Sequence, residues 1–235
     1  MSNNAVSLQN VSYVYPDGYH ALTEVSFTVE RGERVGVVGA NGAGKSTLLL
    51  ALAGVLRPSG TVEVDGVKVD GKNLKQARRR MGLVFQNPDD QLFCPTLYDD
   101  VAFGPLNMGM PEHEARHKTL NSIKSVGLAG LEEKSAFHLS YGQKKRAAIA
   151  TVLSMDVSIL AMDEPTSNLD PKSRKEIIHL LKGLERTQII ATHDFGLVNE
   201  LCGRVALLSG GRIAAEGAPA EILDDHGLLK AHGLE

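Results

Sequence analysis

One stretch limits what this chain can become more than any other: Gly39-Ala40-Asn41-Gly42-Ala43-Gly44-Lys45-Ser46-Thr47, which fits the pattern G-x-x-x-x-G-K-[ST]. It follows the apolar run Val35-Gly36-Val37-Val38, predicted as a buried parallel strand. It precedes Leu48-Leu49-Leu50-Ala51-Leu52-Ala53, predicted as a buried helix. Strand, glycine-rich loop and helix in that order make a phosphate cradle. The glycines let successive backbone N–H groups turn inward toward phosphate oxygens, and the helix N-terminus adds its partial positive charge. In such a cradle Lys45 reaches the β- and γ-phosphates and the Ser46 hydroxyl takes Mg²⁺.

The rest of the chain must then supply a sheet, a base-binding surface and groups for chemistry. At 235 residues it is long enough for one large α/β domain. Its net charge of −3 gives no global reason to expect nucleic acid. The local clusters Arg78-Arg79-Arg80 and Lys144-Lys145-Arg146 are read as solvated helix faces. Cys94 and Cys202 show no metal or redox spacing and suit a reducing cytosol. The polar start of the chain has no signal-peptide pattern. The longest uncharged apolar run, Ser46 to Leu56, is too short to cross a bilayer, so a membrane role would come through a partner.

Residues Val6 to Tyr15 and Val25 to Val29 alternate as half-buried strands do, and Pro16-Asp17-Gly18 between them is a turn, so an antiparallel pair is predicted. Tyr13 or Tyr15 beside that turn can stack on an adenine ring, a contact of about 1–3 kcal/mol by analogy with base stacking; packing within the strand is the alternative for either. Thr61 to Gly66 reads as a short hairpin and Leu74 to Arg80 as a basic helix. Met81 to Phe85 reads as a strand that delivers Gln86 into the polar loop Asn87-Pro88-Asp89-Asp90-Gln91. From Leu97 to Met155 strand alternation stops. Helices are predicted over Asp99–Phe103, Glu112–Val126 and Gln143–Leu153, forming an inserted helical subdomain of about residues 88–155. Ser140 is placed as an N-cap before the last of them.

Two further strands carry chemistry at their ends. Val157 to Met162 ends in Asp163-Glu164-Pro165. Asp163 can hold Mg²⁺ through water and Glu164 can accept a proton from an attacking water. Gln188 to Thr192 ends at His193, placed as a γ-phosphate contact. Ligands of open α/β sheets bind at the carboxyl ends of the strands, where Gln86 also lies, within reach of Mg²⁺ or a water. A helix from near Pro171 to Glu185, strands over Arg204–Leu208 and Arg212–Glu216, and a final helix over Pro219–Leu223 complete the prediction.

Together these pieces resemble the ATPase subunit of ABC transporters, along nearly the whole chain. The most specific part is Leu139-Ser140-Tyr141-Gly142-Gln143, which is similar to the family signature and precedes Asp163 at the family's usual distance. The resemblance implies an α/β phosphate-loop fold: a mixed core sheet, an antiparallel β subdomain and the inserted helical subdomain. It implies that Tyr15, ahead of Tyr13, stacks on adenine. Gln86 is implied as the loop glutamine that senses nucleotide and the membrane partner, and Asp163 as the acidic Mg²⁺ residue. Glu164 is implied as the catalytic base, Asp170 as the cross-dimer loop acid and His193 as the switch histidine. It also implies a head-to-tail homodimer, in which Ser140, Tyr141, Gly142 and Gln143 of one chain complete the ATP site built on Lys45 of the other. Two positions depart from the pattern: Tyr141, where glycine is commoner, and Asn168, where alanine or glycine is usual.

A narrower resemblance rests on Phe85 to Phe93 and on Asp100 to Asn107. Both stretches are similar to energy-coupling-factor importers, within them most to those for cobalt and nickel ions, with vitamin importers as the alternative. The expected protein is therefore a peripheral ATPase on the cytoplasmic face of the cell membrane, using ATP with Mg²⁺ and docked on integral membrane subunits. Asp89 and Asp90 would meet basic residues there, and Leu92 and Phe93 would supply an apolar anchor. The sequence departs from this group in length: 42 residues follow His193 (235 − 193), where many of these importers carry a longer C-terminal helical extension that makes dimer contacts. A soluble ABC ATPase is the second reading, disfavoured by the lack of a second ATPase domain or a heptad run. A guanine-specific switch would need an N-K-x-D motif, which the sequence lacks.

Overall fold

The computed structural model describes residues 3–234. The expected first hairpin is formed by β1 (Asn4–Val14) and β2 (His20–Glu30), which pair antiparallel with Leu8 opposite Phe27 and Tyr13 opposite Leu22. The turn between them closes through Gly18 N–H donating to the Tyr15 carbonyl at 2.9 Å. On its other side β1 pairs with β4 (Ser59–Val64), Val6 facing Val64 and Leu8 facing Val62. Asp65 and Gly66 both take positive φ, 50° and 74°, and turn β4 back into β5 (Val67–Lys68). This Asp-Gly pairing is the turn that a two-residue hairpin demands. The sheet runs β2-β1-β4-β5.

The second sheet runs β10-β9-β3-β8-β7-β6. Its members are β3 (Arg34–Val38), β6 (Met81–Val84), β7 (Ile159–Asp163), β8 (Thr187–Ala191), β9 (Arg204–Ser209) and β10 (Arg212–Gly217). β3 is parallel to β8 and to β9, β7 is parallel to β8, and β9 pairs antiparallel with β10. β7 and β8 are buried at every position, which is why they read as apolar runs and not as alternation. Helix α1 (Lys45–Leu52) packs against β7 and β8. A continuous core joins Leu8, Phe27, Val35, Val37, Leu48, Leu52, Ile159, Ile189 and Leu208. Each such side chain contributes about 1.5–3 kcal/mol by leaving water. The architecture is that of an α/β phosphate-loop protein with a mixed sheet and an antiparallel subdomain.

The chain divides into two compact units. One holds the described residues through Leu83, with Ser158–Glu164 and everything from Glu185 on. The other holds Val84–Val157 and Pro165–Leu184. The first also contains α2 (Leu74–Arg78). The second is built on α3 (Leu97–Asn107), α4 (Glu112–Ser125), α5 (Tyr141–Leu153) and α6 (Pro171–Lys182), packed through Val101, Ile123, Leu128 and Ile149. Two short 3₁₀ turns, Pro88–Asp90 and Ala136–His138, lie in its loops.

Several boundaries differ from the sequence expectation. The helix predicted over Asp99–Phe103 runs on through Pro105 to Asn107. A proline removes the hydrogen bond to the carbonyl four residues back. Here that carbonyl, of Val101, is supplied instead by the buried Ser154 hydroxyl at 2.8 Å. The helix expected to reach Glu185 stops at Lys182, with Gly183 as its C-cap. Two short helices went unforeseen: α7 (Phe195–Leu201) and, after α8 (Pro219–Leu223), α9 (His226–Ala231). Each begins with an aspartate N-cap: Asp194 accepts from Leu197 N–H and Asp225 from Leu228 N–H, both at 2.9 Å.

Candidate functional site

In the first unit, the loop Gly39–Thr47 leaves the carboxyl end of β3 and enters α1. Gly44 sits at φ 106°, and a Cβ there would come within 2.4 Å of the Ala21 carbonyl, so no other residue fits. Helix α1 has Gly44 as its N-cap and no side-chain cap hydrogen bond, so no capping side chain stands over its first-turn N–H groups. Lys45 is buried and its ammonium donates to the Gly39 carbonyl at 2.7 Å and the Ala40 carbonyl at 3.1 Å. Burial pulls its pKa below the usual lysine value, against the opposing charges of Glu164 and Asp163. Thr47 Oγ1 meets the Tyr15 hydroxyl at 3.2 Å, while Asn41 and Ser46 are exposed and Ala43 is buried.

The two candidate tyrosines separate. Tyr13 packs against the core, and Tyr15 stands at the loop, with Tyr13 edge-on at 5.0 Å. The sequence reading missed a third ring. Tyr19 lies stacked with Tyr15 at 6.4 Å, and its hydroxyl donates to the Gly42 carbonyl at 2.5 Å. No signal short of the fold marks it, because it lies in the turn and not on the strand.

The same unit aligns the other strand ends with this loop. Ala191 is in register with Val37 on one side and Asp163 on the other. Glu164 N–H then donates to the Ala191 carbonyl at 2.8 Å, and Thr192 N–H to the Val37 carbonyl at 3.0 Å. Glu164 occupies the left-handed region at φ 46°, a costly place for this residue type that aims its side chain across the strand ends. One carboxylate oxygen accepts from the Thr192 hydroxyl at 2.8 Å. The other accepts from His193 N–H at 3.1 Å and lies 2.7 Å from His193 Nδ1. Glu164 is thus buried and held on both oxygens, while the His193 side chain is 63% exposed. Asp163 is buried beside it. The Asp163 carboxylate and the Ser46 hydroxyl are hard oxygen donors, and this donor set fits Mg²⁺.

The second unit gathers the remaining candidates. Ser140 caps α5 in a full capping box: Gln143 N–H donates to Ser140 Oγ at 3.3 Å, and Ser140 N–H to the Gln143 side-chain oxygen at 2.9 Å. A Cβ on Gly142 would lie 2.6 Å from Ser173 Oγ and 2.8 Å from its Cβ, so glycine lets α5 close onto α6. Ser173 in turn donates to Asp170 at 2.6 Å. Asp170 also N-caps α6 by accepting from Lys172 N–H and Ser173 N–H. The Ser173 hydrogen bonds hold the Asp170 carboxyl below the usual carboxylate range. Asn168 takes φ 61°, where asparagine is among the few tolerated residues, so its departure from the family pattern has a local reason.

Three readings on this unit are corrected. The Lys144-Lys145-Arg146 cluster is no solvated face. Lys144 pairs with Asp89 at 2.7 Å, Arg146 donates to the Val126 carbonyl at 3.2 Å, and Lys145 is 1% exposed. Lys145 shares the helical spacing of Gly142, Ile149 and Val152, a period that marks the buried side but is masked by the charge of its neighbours. Asp89 is therefore engaged within the chain. Leu92 is a core residue; Phe93 is exposed, edge-on to the exposed ring of Phe103 at 5.0 Å.

Comparison with known proteins gives concordant matches. The family model described as "ABC transporter" matches residues 22–167. The energy-coupling factor transporter ATP-binding protein EcfA of Methanothermobacter thermautotrophicus is 47% identical over 235 residues, covering 97% of this chain and 76% of the relative. Among solved structures, cbiO1 of Clostridium perfringens, described as part of the ABC transporter complex cbiONQ, matches with a TM-score of 0.84. It is 39% identical, covering 100% of this chain and 96% of the other. The ATP-binding cassette MJ0796, described as a dimer in a post-hydrolysis state bound to ADP and Pi, matches with a TM-score of 0.82. It is 30% identical, covering 91% and 98%.

Proposed function

Because the chain belongs to the ABC transporter ATPase family, we propose that it is the ATP-hydrolysing subunit of an energy-coupling-factor importer whose cargo is cobalt or nickel ion. The observation that carries the ATPase chemistry is the Glu164 carboxylate, held by Thr192 and His193 at the strand ends that flank the Lys45 loop. The importer class is supported by the likeness to EcfA and to cbiO1. The cargo is supported by the resemblance of Phe85–Phe93 and Asp100–Asn107 to cobalt and nickel importers.

In this reading the Gly39–Thr47 backbone and the Lys45 ammonium cradle the phosphates and Tyr15 stacks on the base. Ser46, Asp163 and Gln86 would hold Mg²⁺, directly or through water, and the bound ion would supply positive charge against the β- and γ-phosphates. Glu164 takes the proton of the attacking water, and His193 orients Glu164 through Nδ1 and offers its outer nitrogen to the γ-phosphate. A second copy, head to tail, supplies Ser140, Tyr141, Gly142 and Gln143 to the same nucleotide, with Asp170 crossing the interface; the dimeric MJ0796 structure supports such an arrangement. Among the described residues no helix is long and apolar enough to cross a membrane. In this reading, supported by the likeness to EcfA and to cbiO1, the protein sits on the cytoplasmic face of the membrane, held by integral subunits. Their docking helix meets the loop after Gln86, with exposed Phe93 and Phe103 as its apolar contact in place of the buried Leu92.

The test is reconstitution with the membrane subunits of its own gene cluster in vesicles. ATP-dependent uptake of cobalt or nickel ions supports the assignment. Uptake of a vitamin with no metal uptake replaces the cargo and leaves the ATPase role, and ATP hydrolysis with no membrane association removes the importer reading.

A further inference from the structure

Lys145 is buried to 1% exposure, among the largest fully enclosed side chains of the protein. Burying an ammonium costs several kcal/mol by order of magnitude unless acceptors replace its water. A methionine would fill similar volume without that penalty, so the function of the lysine lies in its hydrogen bonds. Its Nζ donates to the Gln86 carbonyl at 2.6 Å and to Ser167 Oγ at 3.3 Å, and lies 5.8 Å from the centroid of the Tyr141 ring. These partners come from three segments of the second unit: the loop after β6, the loop that leads to Asp170, and the first turn of α5.

We propose that Lys145 is a positioning residue for ATP hydrolysis, fixing the Gln86 loop and the Ser167–Asp170 loop to the Ser140–Gln143 end of α5 so that the three are placed as one body. The inference rests on the proposed roles of Gln86, Asp170 and the Ser140–Gln143 segment. Gln86 is gripped by its backbone, which leaves its side-chain amide free of that tether and the loop's path determined. Ser167 is gripped by its side chain, three residues before Asp170. The three donors of an ammonium suit a junction of this kind, and a glutamine at the same position could make part of it with two.

The experiment uses the whole protein as Lys145→Met and Lys145→Gln. Three quantities are measured: steady-state ATP hydrolysis, ADP affinity by calorimetry, and backbone amide exchange. The expected result for Lys145→Met is a fall in kcat of at least ~10-fold, as for a misplaced catalytic group, with ADP affinity and KM within about twofold. Lys145→Gln should recover part of that loss. Exchange should rise over residues 86–91 and 166–170 and stay unchanged along α5. Values of kcat within about twofold of wild type in both variants overturn the inference, as does faster exchange spread evenly through α5, which marks a merely structural lysine. If Lys145→Met does not fold, the same criteria apply to Lys145→Gln. Gln86→Ala and Asp170→Ala run in parallel: undiminished kcat in those two overturns the roles of their loops, and a loss there with normal Lys145 variants overturns only the tether.

Discussion

His193 Nδ1 lies 2.7 Å from the carboxylate of Glu164, and the backbone N–H of the same histidine donates to the same oxygen. A carboxylate only accepts, so Nδ1 donates in this contact, and the outer nitrogen can donate to a phosphate oxygen only when the ring carries both protons. Glu164→Gln keeps the geometry but removes the basic oxygen. Turnover should fall by about 10²–10⁴-fold, while nucleotide binding persists through Lys45 and Asp163 and an ATP-bound dimer accumulates. Single-turnover hydrolysis and size-exclusion chromatography with ATP check this; near-normal hydrolysis would take Glu164 out of the reaction. Thr192→Val, which strips the other oxygen of its donor, should lower kcat less.

Lys45 is the buried cation of the phosphate loop, and its ammonium rests on the carbonyls of Gly39 and Ala40. Lys45→Ala removes a charge-assisted contact to phosphate. ATP affinity in calorimetry should drop at least ~10-fold, with little change in melting temperature. Unchanged affinity would mean that phosphate is held elsewhere.

Gly142 allows α5 and α6 to approach. Gly142→Ala puts a methyl group 2.6 Å from Ser173 Oγ and 2.8 Å from Ser173 Cβ, closer than van der Waals contact permits. Overpacking of this kind costs about 1–3 kcal/mol, and it should displace the hydroxyl that bonds Asp170. The expected outcome is a lower melting temperature together with reduced hydrolysis. Gly142→Ala with Ser173→Gly should regain part of the stability and not the hydrolysis, since Asp170 then lacks its partner. Equal melting temperatures for wild type and Gly142→Ala would rule out the clash.

A pH-dependent contribution to stability is built at Arg204. Its guanidinium bonds Glu33 at 2.7 Å, and also Glu216, and lies 5.4 Å from the Phe27 ring centroid. Burial pushes the Glu33 carboxyl up, but the Arg204 hydrogen bonds and charge and the Glu30 backbone N–H outweigh it, leaving the pKa below its ordinary 4.5. A folded-state pKa below the unfolded one means stability present above about 4.5 and lost as pH falls through the folded value. Arg204→Met should therefore lower the melting temperature most near neutral pH, and the gap from wild type should narrow below about pH 4.5. A gap that stays constant with pH would assign the loss to the guanidinium's pH-independent contacts, the Thr28 carbonyl and the Phe27 ring.

The parts of the fold legible in the sequence are those fixed by neighbours in the chain. The phosphate loop, the apolar runs of β3, β7 and β8 and the capped start at Ser140 each carry their signal within a few residues. Asp163, Glu164 and His193 could be placed because they end such runs. Long-range packing left no such mark. Lys145 reads as polar within Lys144-Lys145-Arg146, and only the approach of the Gln86 and Ser167 segments makes a buried lysine tolerable there. Tyr19 meets Gly42 only when the first hairpin folds over the loop. Gly183 is a local stop signal for α6, whereas α7 and α9, at seven and six residues, are too short to show a helical period.

Ser154 and Pro105 form a pair that no single-site substitution respects. The serine hydroxyl donates to the Val101 carbonyl that the proline ring deprives of a helix partner. Ser154→Ala would leave that carbonyl unsatisfied in a dry interior, at about 1–3 kcal/mol. With alanine in place of Pro105 the helix satisfies its own carbonyl, and the same loss of the hydroxyl becomes nearly harmless. The two positions are therefore expected to drift together through descent: lineages that give up the proline are released to vary the serine, and those that keep it are not.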